Sequence, residues 1–571
     1  MATTSASPAL LPPLRSLRDR LREAPLRLAV PGIDQVRAVR DETVAQLDDY
    51  VIPRVQQVDA PLLAVVGGST GAGKSTLVNT LVGRRVSAAG VLRPTTRSPV
   101  LVHHPDDAFW FGPDRLLPDL ARTDAPTGDV GVLQLVPSST LPPGLALLDA
   151  PDVDSVERAN RVLATQLLAA ADLWLFVTSA ARYADQVPWG FLQAAAERST
   201  AVAVVLDRTA PASIEEIRAH LADMLAQHGL AESLLFSVPE APVDADGLLP
   251  AAAVAPVRDW LSSVAADAPA RAAIIEQTLR GAVRQVVVRA DQVADGVDEQ
   301  ERTTGSLHDD AVRTYDRAVD EVEEVTGDGT MLRGEVLARW QDFVGAGGLT
   351  RNLEARVGWL RDRIRSGLTG RPAPTTPVEH AVQHGLHTLL VEQAEDAAER
   401  TAQAWSSTDA GRVLIAEDPG LARASRDLSE RAELLVRDWQ GGILAMVREE
   451  GQDRRTTARF LAYGINGLGV ALMVLVFSHT AGLTGGEVGV AGGTAVLAQK
   501  VLEAVFGDQA VRSLAARAHR ELLQRTEELL SDERDRFIGL LDRYGAPAGG
   551  AAVLRTTARD LERVRRSAGV G

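Results

Sequence analysis

The sequence predicts an α/β head, a mostly parallel sheet wrapped by helices, joined to a long all-α helical bundle or stalk. Three observations carry that prediction. From residue 61 to about 262, short apolar runs (LLAVV, PVLVHH, GVLQLV, LALLD, DLWLFVTS, AVAVVLD, SLLFSV) alternate with helical stretches, the pattern of strands covered on both faces. Beyond about residue 263 strand signals nearly vanish. Helical stripes take over, such as Ile275, Leu279, Val283, Val286, Val293 and Val297 on a single face.

At 571 residues the chain is too long for one core, so two or three domains are expected. Sixty Lys+Arg against 76 Asp+Glu leave a net charge of -16, which argues against nucleic acid as a partner. The absence of cysteine removes disulfides and thiolate metal sites. MATTSASPALLPPLRSLRDR lacks the apolar core of a secretory signal, so a cytoplasmic chain is expected. Lysine occurs only at Lys74 and Lys500, with arginine supplying all other cationic side chains.

Taken in order, residues 1–60 read as an N-terminal helical segment, with Val36, Val39, Val44, Leu47 and Val51 at helical spacing. Residues 61–262 form the α/β head and 263–455 the helical stalk, interrupted by TGRPAPTTP at 369–377. An apolar stretch at 456–507 follows. Residues 508–571 return to helix, with Val511, Leu514, Leu522, Leu529, Phe537 and Leu540 as the apolar face.

The head carries PLLAVVGGSTGAGKSTLVNTLVG, a full G-x-x-x-x-G-K-S match from Gly68 to Ser75, preceded by an apolar strand and followed by a helix. Gly68, Ser69, Thr70, Gly71, Ala72 and Gly73 let the backbone wrap phosphate oxygens, and the helix N-terminus beginning near Lys74, Ser75 and Thr76 supplies amide donors. Lys74 reaches the outer phosphates and Ser75 can hold Mg²⁺. In VLRPTTRSPVLV, Thr95 and Thr96 end a loop leading into a strand, where a threonine completes the magnesium shell and senses the γ-phosphate. Asp149, at the end of LALLD, holds magnesium through water. An ATP-binding cassette would place glutamate after it and an LSGGQ-like signature upstream; Ala150 follows instead and no such signature occurs. Arg93 and Arg97 flank the threonines, and one can serve in cis as an arginine finger.

VVGGSTGAGKSTLVNTLVGRR followed by VLRPTTRSPVLV resembles the dynamin-like GTPases, with a phosphate loop and a T-R-x-P switch I at similar spacing. The likeness is closest to the bacterial dynamin-like proteins, which carry a GTPase head, a helical stalk and a membrane-inserting tip. It implies GTP/GDP and Mg²⁺ as cofactors, a catalytic set of Lys74, Thr96, Asp149 and Arg97, and a metal set of Ser75, Thr96 and Asp149. It also implies hydrolysis coupled to self-assembly on, or remodelling of, a membrane, as a homo-oligomer or paired with a related protein at the cytoplasmic face. Three departures stand out. Thr70 and Gly71 replace the loop glutamine and serine that organise the attacking water, and Asp152 replaces the glycine of D-x-P-G. The base-reading T/N-K-x-D is represented only by Asp207-Arg208-Thr209-Ala210, so Asp207 would have to read guanine from a shifted register.

FLAYGINGLGVALMVLVF, residues 460–477, is uncharged over eighteen positions. Its ten Leu, Ile, Val or Phe contribute roughly -3 to -6 kcal/mol toward insertion in a bilayer, offset in part by Asn466 and three glycines. SHTAGLTGGE supplies a turn, and VGVAGGTAVLA forms a second arm too short to span. Arg454, Arg455 and Arg459 on one flank and Lys500, Arg512 and Arg517 on the other keep both ends on the cytoplasmic side. A hairpin meeting lipid through residues 460–499 is therefore expected, either dipping into one leaflet or as two tight arms packed through Gly485, Gly489 and Gly493. The other readings are a glycine-rich hairpin buried in the stalk or in a dimer interface, a soluble septin/Era-like regulatory GTPase whose helical part binds a protein partner with the apolar segment in that interface, and an ATP-using phosphate-loop ATPase. His380, His384 and His387 share a helix face and read as a solvated face rather than a metal site.

Overall fold

In the computed structural model the described residues are 8–567, apart from 58, 89–97, 114, 128, 130, 156, 198–199, 329–330, 332–335, 337, 340–375, 452–457 and 478–489. They divide into two compact units, one of residues 1–26, 32–299 and 547–571, the other of 27–31 and 300–546.

The first unit opens on α1 (Leu11–Glu23) and α2 (Ile33–Gln46), which passes through a π-type turn at Leu47–Val51 into α3 (Ile52–Gln56). The helical segment expected within 1–60 is thus split, because Pro25 and Pro31 cannot donate in a helix interior. An eight-stranded sheet follows. Its strands are β1 (Leu62–Gly68), β2 (Val100–His103), β3 (Ala121–Thr123), β4 (Val132–Pro137), β5 (Leu145–Asp149), β6 (Leu173–Ser179), β7 (Ala201–Thr209) and β8 (Leu234–Pro239). They lie in the order β3-β4-β2-β5-β1-β6-β7-β8, and among them only the β2–β5 pair is antiparallel. The seven apolar runs of the sequence are all strands here, whereas β3 was not read because ART has neither length nor apolar alternation.

Helices α4 (Lys74–Val82), α5 (Arg158–Ala169), α6 (Gln186–Glu197), α7 (Ile214–Gln227) and α8 (Ala255–Ala266) connect or cover the strands. Period-two alternation places Leu62, Ala64 and Val66 of β1 on one face with Leu145, Leu147, Leu173 and Leu175, packed with Leu77 and Leu81 of α4 and Leu261 of α8. β1 and β6 are buried at every position, as strands covered on both faces must be. The long α9 (Ala268–Gly327) contributes residues up to 299 to this unit, and its predicted stripe from Ile275 to Val297 is buried. The last helix, α16 (Gly550–Ser567), also belongs here.

The second unit contains residues 300–327 of α9 with α10 (Thr376–Ser406), α11 (Asp409–Glu417), α12 (Leu428–Glu450), α13 (Ala458–Val476), α14 (Val490–Phe506) and α15 (Asp508–Tyr544). Its core is aromatic: Trp405 meets Phe537 edge-on at 5.2 Å between ring centroids, and both indoles donate, Trp405 to the Leu307 carbonyl and Trp439 to that of Ala518, each at 2.9 Å. Buried Glu533 accepts from the Ser425 amide at 2.8 Å and from Arg431 and Arg536 at 3.1 and 2.8 Å. The predicted face of α15, from Val511 to Leu540, is buried throughout. His387 lies on α10 with its Nε2 3.1 Å from the Ser429 carbonyl, and no cluster of metal-ligating side chains occurs among the described residues.

The membrane-inserting hairpin expected at 456–507 is not found among the described residues, where no helix is long and apolar enough to cross a membrane. Gly464, at φ 67° and ψ 164°, interrupts the uncharged run, so regular helix resumes only after it. From Leu468 to Phe477 nearly every side chain is buried inside the bundle, and Phe477 sits 5.7 Å from Trp439 between ring centroids. From Leu468 to Phe477 the apolar side chains are thus packed against protein. Gly485 and Gly489 lie outside the described residues.

Candidate functional site

The site is built at the carboxyl end of β1, where the strand order reverses in the sheet, with β5 on one side and β6 on the other, the place where open α/β sheets bind ligands. Gly68 closes β1 at φ 145°, where an added Cβ would stand 2.0 Å from the Val177 carbonyl oxygen, so only glycine lets the strand turn into the loop here. Gly73 caps α4 at φ 102°, and a Cβ there would stand 1.9 Å from Oδ2 of Asp207. The loop from Gly68 to Gly73 thus carries the chain from strand to helix N-terminus without side-chain obstruction. Lys74, 5% exposed, bends back and donates from Nζ to the carbonyls of Gly68 and Ser69, each at 3.0 Å, and to Oδ1 of Asp152.

Asp149 closes β5, which pairs directly with β1, placing Asp149 beside Val66. Its Oδ2 accepts from Ser75 Oγ at 2.6 Å and Ser87 Oγ at 2.5 Å, while its Oδ1, fully buried, has no partner among the described atoms. Burial pushes this carboxyl above the usual range, opposed by the two serine hydrogen bonds and the Lys74 charge. A buried carboxylate with a spare oxygen next to a loop serine fits a hydrated divalent cation, so Ser75 and Asp149 suit magnesium.

Asp207, near the end of β7, is 3% exposed. Its Oδ1 accepts from the Arg208 amide at 2.8 Å, and burial pushes its carboxyl up to about 6. Arg208 holds a left-handed backbone at φ 52°, a conformation unusual for a non-glycine residue. Beside them opens a cavity of about 250 Å³ lined by Thr76, Asp207, Arg208, Pro239, Glu240 and Val243. Asp207 therefore faces both the phosphate loop and this cavity, and Ala210 contributes nothing to its lining. Thr95, Thr96, Arg93 and Arg97 lie outside the described residues.

Three residues of the site were not read from the sequence. Asp154 accepts at Oδ1 from the amide and hydroxyl of Thr70, both at 2.6 Å, and at Oδ2 from Arg182 at 3.0 Å. Ser87 reaches Asp149 because Asn79 holds its backbone, accepting from the Val86 and Ser87 amides at 2.8 and 2.9 Å. Glu240 enters the cavity from the end of β8. The run D-A-P-D-V-D hinted at Asp154; for Ser87 and Glu240 the sequence holds no signal.

The fold and site define a phosphate-loop α/β domain. No protein-family profile matches this chain, and no curated protein matches it. Among solved structures it aligns over 98% of its length with 96% of a chain from work on an oligomerised bacterial dynamin pair, described as providing a mechanism for long-range sensing and tethering of membranes, at 9% identity and a TM-score of 0.41. A second structure from work on such a pair aligns over 96% of this chain and 94% of its own, at 10% identity and a TM-score of 0.41. LeoA, a bacterial dynamin GTPase from ETEC, aligns over 97% of both chains at 11% identity and a TM-score of 0.24.

Proposed function

We propose that this chain is a Mg²⁺-dependent GTPase of dynamin-like type that couples hydrolysis to self-assembly at a membrane surface. The observation that carries the nucleotide part is the loop from Gly68 to Ser75, with Lys74 turned into it and Ser75 bonded to Asp149. In this reading the loop amides and Lys74 hold the β- and γ-phosphates, and Ser75, Thr96 and water held by Asp149 would bind the metal. When bound, Mg²⁺ neutralises charge that develops between the β- and γ-phosphates. Asp207 and Arg208 stand where the base would lie, with Glu240 as a further acceptor in that cavity. Arg97 serves as the finger. The membrane and self-assembly part is carried by the sequence resemblance alone, and contact with lipid is peripheral.

A second reading has a specific observation in its favour. Burial of Leu468–Phe477 in the helical unit withholds these side chains from lipid, as expected of a septin/Era-like regulatory GTPase that does not insert into a membrane. One experiment separates them: hydrolysis of GTP and ATP measured side by side, with and without anionic liposomes, for wild type and Lys74→Ala. The dynamin-like reading expects GTP turnover raised by liposomes and abolished in the variant. GTP turnover indifferent to lipid selects the second reading, and equal use of ATP removes both.

A further inference from the structure

A buried ammonium needs anionic or carbonyl partners, and in a phosphate loop the lysine's intended partners are phosphate oxygens. Here Lys74 donates to a carboxylate as well, Oδ1 of Asp152, whose side chain is 17% exposed. The same segment is fastened twice more. The Val153 amide donates to the Gly68 carbonyl at 3.4 Å, and Asp154 takes both the amide and the hydroxyl of Thr70, while Arg182 holds its other oxygen. Two phosphate-loop donors of different kinds, an ammonium and a backbone amide, are thus occupied by carboxylates two residues apart. In the family pattern position 152 is glycine, which offers no such charge.

We propose that Asp152 is a specificity-determining residue of this site: an internal anion that holds Lys74 until a γ-phosphate displaces it, disfavouring the triphosphate relative to the diphosphate. A γ-phosphate entering beside Lys74 meets a carboxylate already there, and like charges in a water-poor site repel. A diphosphate brings one phosphate fewer into that place and leaves the Asp152 contact largely intact. Displacement frees Asp152 from the loop, so arrival of the γ-phosphate is transmitted to the segment leading into α5. The inference rests on the phosphate-loop reading above.

The test measures equilibrium affinities of the full-length chain for GDP and a non-hydrolysable GTP analogue in Mg²⁺, in wild type, Asp152→Asn and Asp152→Gly. Asn keeps the shape without the charge, and Gly restores the family residue. Both variants are expected to bind the analogue about tenfold more tightly, with GDP affinity changed by less than about threefold. Equal changes for the two nucleotides, or no gain for the analogue in either variant, would overturn the proposal while leaving the phosphate-loop reading intact. Absence of nucleotide binding in all three proteins would remove that reading and this one together.

Discussion

Asp172 and Asp149 flank the same strand at opposite ends, and neither exposes any surface to solvent. Asp172 precedes β6 beside the start of β1; Asp149 ends β5 beside its finish. Asp172 accepts from Tyr50 Oη at 3.0 Å, Arg54 Nε at 2.9 Å, a second Arg54 nitrogen and the Leu63 amide at 2.8 Å. Four donors, two of them on the Arg54 cation, answer its charge. Asp149 has two hydroxyl donors on one oxygen and none among the described atoms on the other. Equal burial therefore accompanies opposite states of satisfaction. The carboxylate neutralised within the chain ties α3 to the sheet, and the one left short retains capacity for a ligand's cation.

The largest effect should come from breaking the satisfied member. Asp172→Ala strands the Arg54 guanidinium, which is 1% exposed and whose pKa burial already lowers to about 10. Loss of one partner of a buried pair costs about 3–5 kcal/mol, read as a fall in the midpoint of denaturant unfolding. A loss below about 1 kcal/mol would show that the pair contributes little and that satisfaction does not separate the two sites.

Asp149→Ala should behave in the reverse sense. Removing a carboxylate that burial already disfavours leaves two serine hydroxyls without their acceptor but strands no charge, so stability should fall by about 1–2 kcal/mol, less than in Asp172→Ala. The Mg²⁺-dependent hydrolysis proposed above, in contrast, should fall about 10–100-fold, as when an outer-shell metal partner is lost. Stability lost to the same extent as in Asp172→Ala, with turnover unchanged, would make Asp149 structural.

The comparison also explains what sequence could show. The phosphate loop was legible because its glycines, lysine and serine lie within eight consecutive positions, and the strands because doubly covered strands are continuous apolar runs. The Asp172 cluster was not, since Arg54 and Tyr50 lie 118 and 122 residues away. Asp154 on Thr70 and Ser87 on Asp149 were hidden for the same reason, at separations of 84 and 62. The apolar run at 460–477 misled differently. An uncharged helix has the same composition whether lipid or Trp439 surrounds it, and what decided its environment was the packing of α12 and α15 together with the break at Gly464.

Asp207 stands between the two extremes and gives the smallest effect. It accepts from the Arg208 amide, and its carboxyl is pushed up to about 6, chiefly by burial. Between the unfolded value of about 3.9 and that folded value, the native state binds more proton than the unfolded chain, so stability falls as pH rises through the window and levels above it. Asparagine can accept from the same amide without ionising. Asp207→Asn should therefore match wild type near pH 4 and exceed it near pH 7 by about 1–2 kcal/mol, measured as the difference between their unfolding midpoints across that range. A difference that does not vary with pH would mean that Asp207 is answered inside the chain, as Asp172 is. The predicted slope would instead place it with Asp149 as a carboxylate held underpaired beside the phosphate loop, where the Gly73 backbone and the cavity under Thr76 meet.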